Sequence, residues 1–484
     1  MISRRNISTA FALVALATAT CAFAAEPTAW PTYRGNTART GNIDGKDGPT
    51  TAKVLWVHAT KDQFVAAPAI GDKALYLPAI GSFNTPFFHA LSLDPAATQR
   101  VLWSAKPPAV RQVIVSSPAI VGDDLIFGDG QHLTDGAVMR AISAVDGFPV
   151  WELSVPGELV HIEGSVSVAD GKVYFGAGHG GVYCVDPATL ILDGKEQPRA
   201  EALAKVQAQW KQLLAKYEEQ KKKDPDFAVR PTPDALPKAA PKVVWQKGAG
   251  EWHVDAPVTV ADGRVLVSSA FLDKEQKGRR SLIALKAGDG TLDWELPLNS
   301  NPWGGASIAG DKALVGCSTV GMYLSLIGAA KGEVIATSLS DGKVAWRKPV
   351  KGGVVSPIAV KDNLAIFTAT DGKVRAFDLA TGGSKWLYDG GAPFFAGVAV
   401  TGGGGGTGGT VYAADIRGVI HAIKLADGSP VWKLDLVADA TVKLGAGSRV
   451  YGSPIVHAGR LYVATCNIES NDPGQQVIVC IGEK

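Results

Sequence analysis

The 484-residue chain lacks a strong charge of either sign: 48 Lys and Arg stand against 46 Asp and Glu, for a formal net charge of +2. No overall field therefore exists to collect nucleic acid or an anionic membrane. It lacks Gly-x-Ser-x-Gly, His-Glu-x-x-His and Cys-x-x-Cys, which removes the local signatures of a nucleophile elbow, a zinc protease and a dithiol redox centre. Beyond the first residues it has no run of 18 apolar residues, the length a membrane-spanning helix needs. Glycine and proline are plentiful, at 56 and 28 residues. With little long helical periodicity, that points to many short strands and many turns.

Residues 1–24 read as a secretory signal peptide. Arg4 and Arg5 precede the apolar run 10–17, and Ala22-Phe23-Ala24 supplies a small-residue cleavage site. Ser3-Arg4-Arg5-Asn6-Ile7 also resembles a twin-arginine leader. A lipoprotein alternative makes Cys21 the acylated first residue, but Thr18-Ala19-Thr20 lacks the expected Leu and the small residue before the cysteine. The expected location is periplasmic or secreted. Residues 25–484 remain as one domain.

A hydrophobic-x-Trp ending recurs at Trp56, Trp103, Trp151, Trp245, Trp294, Trp346, Trp386 and Trp432, with spacings of 47, 48, 94, 49, 52, 40 and 46. Most periods share an internal order. A Ser/Ala-Pro start such as Ser117-Pro118 comes first, then a Gly-Asp or Asp-Gly turn, an apolar strand, a strand with Ala or Cys at its centre, and the Trp strand. Four short strands in a period of 40–50 make a propeller blade. The starts count eight: Pro68, Pro118, Ser165, Pro257, Ala306, Pro357, Gly397 and Pro454. The eighth blade ends after three strands, and the strand at Trp56 has no blade of its own. Pairing the two closes the ring and removes a sheet edge. The expected fold is thus an all-β, eight-bladed propeller closed by its N-terminal strand. Cys184 and Cys480 take the place of the central Ala in their strands, and four buried free thiols are expected at Cys184, Cys317, Cys466 and Cys480.

The gap of 94 holds an insertion, residues 194–242, within blade 3 between its third and fourth strands. Leu203, Val206, Trp210, Leu213 and Tyr217 form an apolar helical stripe, and a helix is predicted from Pro198 to Lys223. Such a helix either lies on the propeller's own underside or docks a partner.

No Trp is followed by Asp, so the WD40 signature is absent. The Ser-Pro-Ala, Gly-Asp, apolar-Tyr-apolar-Gly, apolar-x-Ala-apolar and Val-x-Trp order resembles the pyrroloquinoline quinone (PQQ)-type β-propeller repeat. Trp30-Pro31-Thr32-Tyr33-Arg34-Gly35 is similar to the lead of many exported propellers of that kind. Two branches of the family bear on function. Quinoprotein alcohol dehydrogenases bind PQQ and calcium at the propeller centre and carry a disulfide between adjacent cysteines, a pair missing here. The BamB-type scaffold carries the repeat without that apparatus, and this chain looks nearer to it. The resemblance implies an exported binding or scaffold protein, non-catalytic, without a cofactor, that engages an envelope protein through its loops and binds no nucleic acid. The alternative is a PQQ- and metal-dependent oxidoreductase acting on an alcohol or sugar.

The loops after each Trp strand should meet those between second and third strands on one face. Aligning the blade starts puts Ala66, Ser116, Glu163, Asp255, Gly304, Val355, Phe395 and Gly452 at the channel mouth. Carboxylates fall there in blades 3 and 4, each with an imidazole two residues earlier: His161 with Glu163, and His253 with Asp255. His179 should reach the same rim. Imidazoles with carboxylates suit a divalent transition metal, or are polar groups solvated at the channel mouth. Trp252 and Trp303, on adjacent rim loops, are candidates for stacking on a planar cofactor such as a quinone, or else packed loop aromatics. Tyr451, Arg111 and Arg417 are further rim residues.

Overall fold

The computed structural model describes residues 32–36, 39, 41, 47–105, 112–132, 134–321, 324–402, 408–445, 447–470 and 474–483. The signal peptide 1–24, Cys21 and Arg111 lie outside the described residues. Eight antiparallel sheets follow one another along the chain. Blade 1 has strands Ala69–Ile70, Ala74–Ile80, Pro86–Ser92 and Val101–Ala105. Blades 2 and 4 to 7 repeat this order, and from blade 1 to blade 8 each inner strand touches the next. Blade 8 is built from Ile455–His457, Arg460–Ala464 and Gln476–Ile481, and its fourth strand is the N-terminal Val54–Thr60, antiparallel to Gln476–Ile481.

The repeat has a physical basis in one cross-strand pair. Every Trp of a fourth strand sits directly opposite a small residue of the third: Trp103 on Ala90, Trp151 on Ala141, Trp245 on Cys184, Trp294 on Ala284, Trp346 on Ala336, Trp386 on Ala376, Trp432 on Ala422 and Trp56 on Cys480. A bulge beside each pair increases the local twist. The ring then leans on the following blade. Trp245 donates its indole N–H to the Ala287 carbonyl at 3.0 Å, and Trp294, Trp346 and Trp386 bond Leu339, Leu379 and Leu425 in the same way at 2.9–3.0 Å. The Trp245 ring also covers Gly290, whose φ of +69° and lack of a side chain let the indole approach. The repeated serine is a stitch between blades: Ser117, Ser165 and Ser453 each accept a backbone N–H from the preceding blade, at 2.9, 3.2 and 3.0 Å. The four described cysteines are buried and free. Burial pushes the Cys184 thiol up to about 11 and those of Cys466 and Cys480 to about 12, so they are packing groups and not nucleophiles.

In blade 3 the third strand runs long, Val182–Leu192, and pairs with a short Lys195–Pro198 strand before the helix Arg199–Lys223. The helix covers the 25 residues that the apolar stripe predicts. Ala202 and Val206 are buried, Leu203, Trp210 and Leu213 pack half-buried on blades 2 and 3, and the Trp210 ring lies 5.6 Å from Phe148. Arg199 clamps Asp124 of blade 2 at 2.8 Å, and Ala239 accepts the Glu152 N–H at 2.9 Å, covering the outer edge of blade 2. The insertion therefore lies on the propeller itself. Excising residues 196–240 behind a short Gly-Ser linker is expected to lower the urea midpoint. Trp210→Ala alone should cost about 2 kcal/mol, the scale of one large apolar side chain returned to water. An unchanged midpoint in both variants would contradict this packing.

Candidate functional site

The connections from each fourth strand to the next blade, and those from second to third strands, open on one end of the central channel. There the structure forms a cavity of about 320 Å³. Its walls include Ala66, Glu163, Asp255, Gly304, Val355 and Gly452 at the aligned positions, together with Trp303 and Tyr451. Two aligned residues do not reach it. Ser116 turns to bond the Gly128 carbonyl at 2.9 Å, leaving Ser117 on the wall, and Phe395 packs on Tyr451 with ring centres 5.4 Å apart.

The floor of the channel is the chain's own N-terminal segment, which sequence reasoning did not place. Tyr33 lines the cavity, while Arg34 and Arg39 are 1% and 0% exposed. Arg39 donates to the backbone carbonyls of Tyr33, Ser165, Val166 and Val258 and to the Ser167 hydroxyl, at 2.8–3.2 Å. Its own carbonyl accepts from the Ser307 hydroxyl at 3.1 Å. Arg34 donates to the Val398 carbonyl of blade 7. Burial lowers both guanidinium pKa values to about 10, and neither has a carboxylate partner among the described residues. The signal available was a pair of arginines five apart in a segment outside the repeat. Charge normally argues for solvent, so the pair reads as surface.

On the wall, blades 3 and 4 bring together much of what the sequence pointed to. Asp255 accepts hydrogen bonds from two imidazoles, His161 Nε2 at 2.8 Å and His253 Nε2 at 3.1 Å, and both rings are wholly buried. Backbone bridges fix the rings: His253 pairs with Ala270, and its N–H bonds the Ser269 hydroxyl at 3.1 Å. A third imidazole, His132, missed from the sequence, stands with Nδ1 3.8 Å from Asp255. It comes from the loop between the second and third strands of blade 2. The rule that such loops share this face would have found it. Burial disfavours a charge on His161, but the charge and hydrogen bond of Asp255 outweigh it and raise the pKa to about 9. Burial also opposes ionisation of Asp255, and His253 and His161 hold its pKa well below the usual range. Glu163 lines the same cavity, and burial together with the Asp255 charge lifts its carboxyl to about 7.

His179 lies on the periphery, its ring 6.4 Å from His253 and outside the group of converging donor atoms. Trp303 lines the cavity. Trp252 is 6% exposed and packs with Val254, Trp245 and Val258 in the core between blades 3 and 4, under the Arg279 guanidinium 5.7 Å away.

The family profile described as outer membrane protein assembly factor BamB matches residues 47–193 and 319–471, more than half of the chain. The chain belongs to this family. Outer membrane protein assembly factor BamB of Moranella endobia is 24% identical over 269 residues, 53% of this chain and 65% of that one. That of Burkholderia pseudomallei is 30% identical over 29% of this chain and 31% of its own length. The chain thus spans less than two thirds of either relative. Among solved structures, BamB from Moraxella catarrhalis superposes with a TM-score of 0.53 at 13% identity, covering 89% of this chain and 98% of that one. Quinohemoprotein alcohol dehydrogenase from Comamonas testosteroni gives 0.59 at 13% identity over 94% of this chain and 81% of its own, and a europium-containing methanol dehydrogenase gives 0.61 at 13% over 94% and 98%. At such identities the superpositions show the shared propeller. The chain is a PQQ-type β-propeller nearer the BamB-like branch.

The cavity's chemistry does not fit PQQ. That quinone carries three carboxylates, whereas the described lining holds Glu163, Asp255 and His132 and no lysine or arginine. Calcium prefers six to eight oxygen ligands, and the convergent donors here are three imidazoles and one carboxylate.

Proposed function

We propose that this chain is an exported, non-catalytic binding scaffold of the cell envelope, serving outer-membrane protein assembly by holding another envelope protein against its loop face. The observation that supports this most is the family match on both sides of the insertion, from the N-terminal strand through the third strand of blade 3 and from the outer half of blade 5 into blade 8. The channel chemistry agrees: the chain's own Tyr33, Arg34 and Arg39 fill the axis, and the described lining of the remaining cavity offers no lysine or arginine to pair a tricarboxylate. No helix among the described residues is long and apolar enough to cross a membrane. The leader at residues 1–24 is the proposed route out of the cytoplasm.

Two measurements test the reading. Removing the gene from its host is expected to lower the abundance of outer-membrane β-barrel proteins, and a copy carrying the wild-type sequence should restore them. Purified protein mixed with PQQ and calcium should show no bound-quinone absorbance and no dye-linked alcohol oxidation. A stoichiometric quinone band with turnover would replace the scaffold by the dehydrogenase alternative.

A further inference from the structure

Four of the chain's eight histidines, His132, His161, His179 and His253, gather at one side of the channel mouth. In three of them a ring nitrogen converges with an Asp255 oxygen, and these donor atoms of His132, His161, His253 and Asp255 all lie within 4.8 Å of one another. They come from three separate chain segments: the blade 2 loop, the entry to blade 3 and the entry to blade 4. We infer that His132, His161, His253 and Asp255 form a binding site for one divalent transition-metal ion, zinc being the ion their chemistry fits best, at the edge of the channel cavity.

Three observations carry this. First, the donor set is right: neutral imidazoles and one carboxylate suit a borderline cation, and four of them complete a tetrahedron. With bonds of 2.0–2.1 Å, tetrahedral ligand atoms stand roughly 3.3 Å apart. His161 Nε2 and His253 Nε2 stand 2.8 and 3.0 Å from Asp255 Oδ1, inside that value, and His132 Nδ1 stands 3.8 Å from Asp255 Oδ2, outside it. Closure needs the four donor atoms, now within 4.8 Å of one another, to draw closer together. Second, the imidazoles are stacked edge to face with little room to turn away. Ring centres are 5.2 Å apart for His161 and His253, 5.7 Å for His132 and His161, and 6.0 Å for His132 and His253. Third, the two wholly buried rings turn the same nitrogen, Nε2, to one carboxylate. That leaves Nδ1 on the far side of each ring, and the His161 ring meets the Thr134 backbone carbonyl, as an outer partner holds a ligating imidazole. A cation takes the place of the protons that now join the rings to Asp255, so its binding releases protons.

The site is independent of the scaffold reading, because a metal here would brace blades 2, 3 and 4 whatever the loops bind. Untagged, chelator-treated protein titrated with zinc in a calorimeter is expected to take up one equivalent at micromolar or lower dissociation constant. Cobalt(II) in its place should give the intense visible bands of a four-coordinate ion. His132→Ala alters a half-exposed loop side chain and cannot threaten the core. It should weaken zinc binding at least 10-fold, in keeping with the loss of one ligand. Asp255→Asn should abolish binding, whereas His179→Ala, outside the converging atoms, should leave it unchanged. No zinc uptake by the wild type would overturn the site. So would uptake that His132→Ala and Asp255→Asn leave intact, and so would cobalt bands of a six-coordinate ion.

Discussion

Deleting residues 50–58 is expected to abolish cooperative folding of the whole ring. The segment holds most of the fourth strand of blade 8, paired through Trp56 with Cys480, Val57 with Val479 and His58 with Ile478. All six residues of its partner strand Gln476–Ile481 are buried. Without the closing strand that partner becomes a long, flat apolar edge, the geometry that templates aggregation. Trp56 is also the wedge between the last blade and the first, packed on Tyr462 and covered by the Arg100 guanidinium of blade 1 at 4.2 Å. Loss of one such buried aromatic costs about 3–5 kcal/mol, a large part of the 5–15 kcal/mol that typically holds a domain together. The strand adds its ladder to that. The truncated chain should aggregate or melt without a sharp transition, and a synthetic peptide of residues 50–60 added in trans should restore solubility and the transition. A melting curve indistinguishable from wild type would show that the ring does not depend on this closure.

What the sequence allowed and what it hid follow from periodicity. The blades were legible because one steric requirement, a small residue facing each Trp, recurs eight times and leaves an imprint at a near-constant spacing. The helix was legible because its apolar stripe keeps a 3.6-residue period against the alternation around it. Register then carried over to function: six of the eight residues aligned as the channel mouth line the cavity. The failures sit where a side chain departs from the repeat. Trp252 reads as a rim aromatic, but it precedes the short bridge of His253 to Ala270, and Gly248 accepts its indole, so the ring folds into the core. His132 belongs to a loop whose composition has no equivalent in other blades. The plug belongs to no repeat at all, and no rule of hydrophobic patterning puts an arginine on the axis of a propeller.

That plug makes the last strong expectation. Arg39→Ala should destabilise the protein by about 3–5 kcal/mol, more than most surface and many core substitutions. Burying a guanidinium without a carboxylate is costly, and here burial depresses its pKa to about 10, so it stays charged at neutral pH. What offsets that cost is geometry. One planar group spreads its donors over the Tyr33 carbonyl, two carbonyls and a hydroxyl of blade 3 and a carbonyl of blade 4, while its own backbone holds blade 5 through Ser307. Removing the side chain leaves a void on the axis and strands oxygens that water cannot reach, at about 1–3 kcal/mol for each group left without a partner. Lysine is no substitute, because a single ammonium cannot reach Tyr33 and both blades at once. Arg39→Lys should therefore fall close to Arg39→Ala in urea unfolding, with exposed Arg230→Ala as the control that stays within about 0.5 kcal/mol of wild type. If Arg39→Lys matches the wild type instead, the charge alone suffices on the axis and the bonds to the blades are incidental.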